Sequence, residues 1–185
     1  MIKDILFALW FFLPAGLANA SPVIANKIPL LSHLGMPIDQ GKHFRGKRIF
    51  GNHKTLRGLL VGVLTGVATC LLQGFVYRHI FWVRDMSLIS YESYATCFAI
   101  GLALGFGALA GDAIKSFFKR QIGVKPGSTW FPFDQVDYIV GGLLLSSLVV
   151  DLPHISYLWI GLIWFLIHPL ATLIAWLIGL KDSPI

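Results

Sequence analysis

The amino-acid sequence predicts an all-α integral membrane protein with about five transmembrane helices, its amino terminus outside and two basic loops in the cytoplasm. Three observations carry that prediction. Of 185 residues, 56% are hydrophobic and 13% charged, whereas a soluble domain has roughly 25% charged residues. Mean hydropathy is +0.72. The apolar residues are gathered into runs close to the ~20 needed to cross a bilayer, and the basic residues crowd into alternate segments between them. Residues 1–185 read as a single polytopic domain, with no repeat and no soluble second domain. The net charge of +6 describes those particular loops, so no nucleic-acid partner is expected. Cys70 and Cys97 each sit inside an apolar run, without a CxxC or Cys/His cluster, and indicate neither a zinc site nor a disulfide framework.

The first apolar run extends from Ile5 to about Asn26 and contains Ala18-Asn19-Ala20, small residues of the kind found at a signal-peptide cleavage site. Lys3 beside Asp4 leaves the amino end without a net positive charge, and export of the basic segment that follows would violate the positive-inside rule. A retained first span, bent or interrupted near Pro14, is therefore expected. Lys27 to Arg57 is the first cytoplasmic loop, where Lys42, Arg45, Lys47, Arg48, Lys54 and Arg57 face the lone acid Asp39. Such a segment can simply hug anionic lipid. The interleaving of Phe44, Ile49 and Phe50 with Gly46, Gly51 and Gly58 points further, to a backbone that approaches a ligand closely.

Gly58 to Tyr77 is uncharged and forms the second span, with Gly62 and Gly66 at small-xxx-small spacing for close helix packing. An external loop of mixed charge follows around Arg84, Asp85 and Glu92. Tyr94 to about Phe118 is the third span, with Gly101, Gly105, Gly107 and Gly111 giving a small-residue face. Arg120 to Phe131 is the second basic loop. Phe133 to Val150 is the fourth span and Tyr157 to Leu180 the fifth, after external Asp151, Pro153 and His154. The tail with Lys181 is then cytoplasmic, so the charge bias and the span count agree.

Ionisable residues at the edge of apolar segments are costly and mark candidate function. Between Gly111 and Gly142 several stand together. Asp112, Lys115 or Ser116, and Lys119 share one face at the cytoplasmic end of the third span. Asp134 and Asp137 share a face at the start of the fourth, where a helix dipole favours carboxylates; either could act merely as a cap or first-turn acid. With Asp112 at matching depth, the three acids suit a hard, oxygen-seeking cation such as Mg²⁺, which typically brings a nucleotide phosphate. Lys115, Lys119, Arg120 and Lys125 surround them, some as snorkelling anchors. Acids for a metal beside bases for phosphate oxygens is the pattern of phosphoryl or nucleotidyl transfer. His33, His43 and His53 are too irregularly spaced for a metal site, and His168 reads as a packed residue.

Several stretches, taken in order, resemble one family. They are L-P-A-G-L-A-N-A-S-P at Leu13 to Pro22, P-I-D at Pro37 to Asp39, F-R-G-K-R-I-F-G-N-H-K-T-L-R-G at Phe44 to Gly58, and G-D at Gly111 and Asp112. Within Ser116 to Asp137 they are S-F-F-K-R, G-V-K-P-G and D-Q-V-D. Together they look like the membrane CTP:phosphatidate cytidylyltransferases, and more closely the CDP-archaeol synthase branch. The resemblance implies a Mg²⁺-dependent nucleotidyltransferase that moves CMP from CTP to a phosphorylated membrane lipid of the bis-geranylgeranyl glycerol phosphate type, releasing pyrophosphate. Asp112, Asp134 and Asp137 would bind the metal and, with Lys119, form the catalytic set; Arg120 and Lys125 would help neutralise the pyrophosphate. Asn19, Ser21, Arg45, Arg48, His53, Lys54, Arg57, Lys115 and Ser116 would complete the substrate pocket. Bacterial phosphatidate enzymes have His-Gly-Gly and an Arg near the final acids; here Phe131, Pro132, Phe133 and Gln135 stand there, which bears on the acceptor lipid.

Three other readings compete. A diacyl acceptor would make the product CDP-diacylglycerol. A CDP-alcohol phosphotransferase would need a D-G-x2-A-R motif, which this chain lacks. A transporter or lipid-binding membrane protein would place functional charge in mid-span, whereas these groups gather at one interface. The expected location is the cell membrane, with the active site facing the cytoplasm.

Overall fold

A computed structural model describes residues 2–125 and 128–180. Pro126 and Gly127 of the G-V-K-P-G motif, and Lys181 of the tail, lie outside the described residues. Six helices and a short hairpin follow in the order α1 (Ile2–Ala25), β1 (His43–Phe44), β2 (Lys47–Arg48), α2 (Leu56–His79), α3 (Phe81–Met86), α4 (Tyr94–Gln121), α5 (Phe133–Ser146) and α6 (His154–Leu177). A 3-10 turn at Pro29–Leu34 lies between α1 and the hairpin. α1 continues through both Pro14 and Pro22.

α1, α2, α4 and α6 are long and apolar enough to cross a membrane. Their outer faces carry exposed large apolar side chains such as Leu64, Leu72, Leu158 and Leu166, which water would not tolerate in such continuity. The chain is a multi-pass membrane protein. The expected fourth span differs: α5 has 14 residues, about 21 Å of helix, against a hydrocarbon core of roughly 30 Å. Its end has a local cause. The Ser147 hydroxyl donates to the Leu144 carbonyl, whose i+4 amide, that of Leu148, turns instead to Leu145, and the Ser146 hydroxyl shares the Leu143 carbonyl with the Ser147 amide, so hydroxyls help satisfy last-turn acceptors where the helix stops. The segment around Arg84, expected as a plain loop, contains the short helix α3.

Helix contacts follow the glycine pattern. A Cβ on Gly66 would meet the Cα of Gly105 at 2.8 Å, and one on Gly101 would meet Val67 Cα at 2.8 Å, so α2 and α4 touch backbone to backbone. An aromatic core joins α1, α5 and α6. The Phe12 ring lies 5.6 Å from Trp164 and 6.0 Å from Tyr138. The polar ends of these residues are satisfied there: Trp164 Nε1 donates to the Ala8 carbonyl at 3.0 Å and the Tyr138 hydroxyl to the Trp164 carbonyl at 2.9 Å. These bonds hold α5 against its neighbours just beyond Asp137.

Side-chain contacts sort the helix ends into two faces. On one, Lys3 pairs with Asp85 at 2.7 Å, bringing the amino end beside α3. On the other, Lys47 donates to the Gln121 carbonyl, Gln121 Nε2 to the Arg48 carbonyl at 3.4 Å, and Lys27 to the Gly179 carbonyl at 2.6 Å. The hairpin of the first basic loop thus docks on the end of α4, with Phe44 and Phe117 ring centroids 5.7 Å apart.

Candidate active site

The site forms where α4 ends and α5 begins. The last turn of α4 carries Lys119 and Arg120, and the first turn of α5 carries Asp134, each sign favoured by the helix dipole at that end. The two backbones can meet because glycine lines both. A Cβ on Gly111 would collide with the Asp137 carbonyl, and one on Gly141 with the Gly107 carbonyl. Contact at Gly111 sets Asp112 beside Asp137.

Three carboxylates and three lysines interlock at this junction. Lys115 Nζ stands 3.1 Å from Asp112 Oδ1, 2.8 Å from Asp134 Oδ1 and 2.7 Å from Asp137 Oδ2. Lys119 Nζ donates to Asp134 at 3.2 Å and to the Ser128 carbonyl at 2.6 Å, tying the second loop to the cluster. Lys54 reaches across from the first loop to Asp112. It sits just before Thr55, whose hydroxyl caps α2 by accepting from the Gly58 amide at 3.1 Å; the cap fixes where the chain leaves the loop. The Asp137 side chain is 6% exposed. Its Oδ1 accepts from the Tyr138 amide at 2.7 Å, while its Oδ2 has an ion pair with Lys115 but no well-angled hydrogen bond.

Asp134 is not the cap of α5. The N-cap position is Pro132, without a side-chain bond, and the Asp134 carboxylate accepts from the Trp130 amide and faces both lysines. Ser116 Oγ donates to the Asp112 carbonyl at 2.8 Å, within α4.

The first loop is organised by Asp39, a residue absent from the predicted site. Its carboxylate accepts from Arg48 Nη2 at 2.6 Å and from the amides of Phe50, Gly51 and Gly41 at 2.9, 3.0 and 3.1 Å. Burial alone would raise its pKa, but the Arg48 guanidinium and the amides of Gly51, Phe50 and Gly41 outweigh it and hold the carboxyl well below the usual range. The signal was present in the sequence: one acid among seven bases is the natural hub of a charged loop. The loop glycines also serve the fold. Arg45 and Gly46 have φ of 52° and 76°, the two positive values of a tight type I′ hairpin turn, and Gly58 packs on Pro22 of α1.

The other predicted residues divide. Lys54, Lys115, Lys119 and the three aspartates come together; Arg48 is committed to Asp39, and Arg57 donates to Asn26 Oδ1 at 2.5 Å. Arg120 Nε and Arg57 Nε are buried without a hydrogen-bond partner among the described residues. Arg45 is exposed and lies over the Phe44 ring at 5.4 Å. Ser21 donates to the Ala18 carbonyl at 3.0 Å, and Lys125 is exposed. Asn19 borders a cleft between α1 and α6 that includes Tyr138 and His168. His53 borders a second cleft of about 290 Å³, walled by Ile38, Phe50, Leu59, Phe106 and Leu109 and reaching Lys54 and Asp112.

Three carboxylates from two helices, one with an oxygen short of a hydrogen bond, are the donor chemistry a hard divalent cation takes. Among the described residues no three Asp, Glu, His or Cys side chains stand in ligand geometry, and the Lys115 ammonium occupies the point where the three acids converge. The donor types fit such a cation.

Comparison with known proteins agrees with this architecture. The CarS-like, CDP-archaeol synthase family matches residues 1–185. The CDP-archaeol synthase of Methanocaldococcus jannaschii is 35% identical over 185 residues, 98% of each chain. That of Thermococcus onnurineus is 33% identical, covering 99% of this chain and 98% of the relative. The fold is similar to the solved structure of an intramembrane enzyme for archaeal membrane lipid biosynthesis, with a TM-score of 0.72 and 30% identity over 90% of this chain and 93% of that one. The chain belongs to the CDP-archaeol synthase family.

Proposed function

We propose that this protein transfers CMP from CTP to the phosphate of an isoprenoid ether lipid, forming a CDP-activated lipid and pyrophosphate on the cytoplasmic face of the membrane. The observation that carries the reading is the convergence of Asp112, Asp134 and Asp137 on Lys115, with Asp112 also lining an apolar cleft, in a chain of the CDP-archaeol synthase family. The cleft takes the glycerol-proximal part of the acceptor's hydrocarbon chains, the remainder lying in the bilayer, and the acceptor's phosphate lies at its polar end beside Lys54. An oxygen of that phosphate bonds to the α-phosphorus of CTP as the bond from that phosphorus to the bridging oxygen breaks, and pyrophosphate leaves with the electron pair. The attacking oxygen is already anionic near neutral pH, so no strong general base is required.

The barrier is repulsion between anions, and the cationic side chains address it. Lys119 is held in place by Ser128 and Asp134. Arg120 retains a buried donor for a phosphate oxygen, and Lys125 extends the positive charge along the second loop. Asp112, Asp134 and Asp137 would hold Mg²⁺, which supplies charge neutralisation and polarisation of the phosphate when bound. Preorganised charge of this kind acts without reorganisation during the reaction.

The purified protein, given labelled CTP with Mg²⁺ or with chelator, and offered unsaturated archaetidic acid or phosphatidic acid separately, tests each part. Mg²⁺-dependent labelling of the ether lipid, exceeding that of the diacyl lipid, is expected. Equal or better turnover of phosphatidic acid overturns the acceptor, chelator-insensitive turnover overturns the metal, and labelled product from neither lipid overturns the reaction.

A further inference from the structure

Lys115 stands in a place its chemistry does not require. A lysine that merely anchored α4 at the interface would turn its ammonium to water; this one is directed inward and has three carboxylate oxygens within 3.1 Å. The side chain is 13% exposed. Asp112 and Asp134 each have a second lysine, Lys54 and Lys119. Among the described residues Asp137 has Lys115 as its basic partner, through an oxygen that forms no well-angled hydrogen bond. Three acids are thus balanced by three ammonium groups, and the cluster is neutral before any ligand arrives.

We infer that Lys115 is a resident counter-ion that holds the cation position until nucleotide arrives, then moves from the carboxylates to the phosphates. The inference rests on the metal reading above. A divalent cation drawn to the same three acids meets the ammonium at their centre, and two like charges cannot share those oxygens at such distances. The ammonium must leave, and its flexible four-carbon stem allows that. Entry of the cation alone would leave the displaced ammonium without an anion and the cluster with excess positive charge. Entry together with a triphosphate supplies both the missing negative charge and a new partner for Lys115. The self-neutralised cluster therefore disfavours metal alone and favours metal with nucleotide, and this coupling is reciprocal.

Protein-bound Mn²⁺, measured by electron paramagnetic resonance on the purified full chain, reads this directly. Without nucleotide, Lys115→Met is expected to bind Mn²⁺ about 5- to 150-fold more tightly than wild type, the usual range for coupled sites. Mn²⁺ should also raise its melting temperature more than that of wild type, because the dication restores the lost charge balance. Lys115→Gln, whose amide can still hydrogen-bond to the acids, should behave in the same sense. Equal Mn²⁺ affinity and equal thermal shifts in wild type and both variants overturn the inference, as does failure of both variants to fold even in Mn²⁺. A separate arm with CTP tests the underlying site: wild type should retain Mn²⁺, and Asp134→Asn and Asp137→Asn should not. If that arm succeeds and the Lys115 comparison is flat, only the counter-ion role falls; if wild type binds no Mn²⁺ even with CTP, the metal site itself falls.

Discussion

Asp134 and Asp137 lie three residues apart on α5, yet their carboxylates have different surroundings. Asp134 is shared between Lys115, Lys119 and the Trp130 amide, while Asp137 has Lys115 and the amide of its own neighbour. Replacing either with Asn keeps the shape and removes a charge. Loss of one preorganised electrostatic contact costs on the order of 10²–10³ in turnover, whereas loss of a helix cap would cost about 1 kcal/mol of stability. Asp134→Asn and Asp137→Asn should therefore still insert and fold, and should lose far more CDP-lipid formation from labelled CTP than any accompanying fall in melting temperature explains. Asp39 behaves in the opposite way. Its role is to order the loop, so Asp39→Asn should loosen the Lys27–Arg57 segment by about 1.5–3 kcal/mol, the range for hydrogen bonds to a charged group. A carboxylate held below its usual pKa contributes full stability above its unfolded value of about 4, and loses it as pH falls from there through the folded value. Limited proteolysis of the loop should show a constant gap between wild type and variant from neutral pH to about 5, closing only in stronger acid.

At the scale of elements, the site depends on how closely α4 and α5 approach. Gly111 and Gly141 are positions where any Cβ meets the backbone of the opposite helix, and backbone cannot rotate away as a side chain can. Gly111→Ala should cost about 1–3 kcal/mol through overpacking and also separate Asp112 from Asp137, so activity should fall more than the melting temperature alone explains. Gly161 on α6 is the internal control, because a Cβ there meets nothing within 4 Å. Gly161→Ala should leave both turnover and thermal melting in detergent close to wild type. Equal losses in the two variants would show that glycine in this bundle matters for some reason other than the α4–α5 contact.

For the whole molecule, the contacts collect both basic loops on one face and the amino end with α3 on the other. The positive-inside rule predicts that the basic face is the cytoplasmic one, the side on which the proposed reaction would meet CTP. A cysteine introduced near His154 should react with a membrane-impermeant thiol reagent added to intact cells, and one near Lys47 should react only after permeabilisation. Cys70 and Cys97 are buried, so the native background should be low. Labelling near Lys47 in intact cells would reverse the orientation and separate the site from its nucleotide.

Composition and periodicity are local properties, and they were sufficient for the helical membrane class, the positions of α1, α2, α4 and α6, and the small-residue faces. The three aspartates were legible for the same reason, since charge at the edge of an apolar run is conspicuous in one dimension. The order of several motifs, rather than any spacing, pointed to the family. Tertiary structure alone decided which base meets which acid. Lys54 and Asp112 are 58 residues apart, and only the docking of the first loop on α4 brings them together. It also distinguished Arg48, tied to Asp39, from Lys115, set among three acids, although both read in sequence simply as basic residues. The length of α5 was beyond a hydropathy reading too, because Ser146 and Ser147 end the helix through hydrogen bonds while the apolar run continues to Val150. Partner choice among charged groups depends on distance in space, and a linear pattern carries no measure of it.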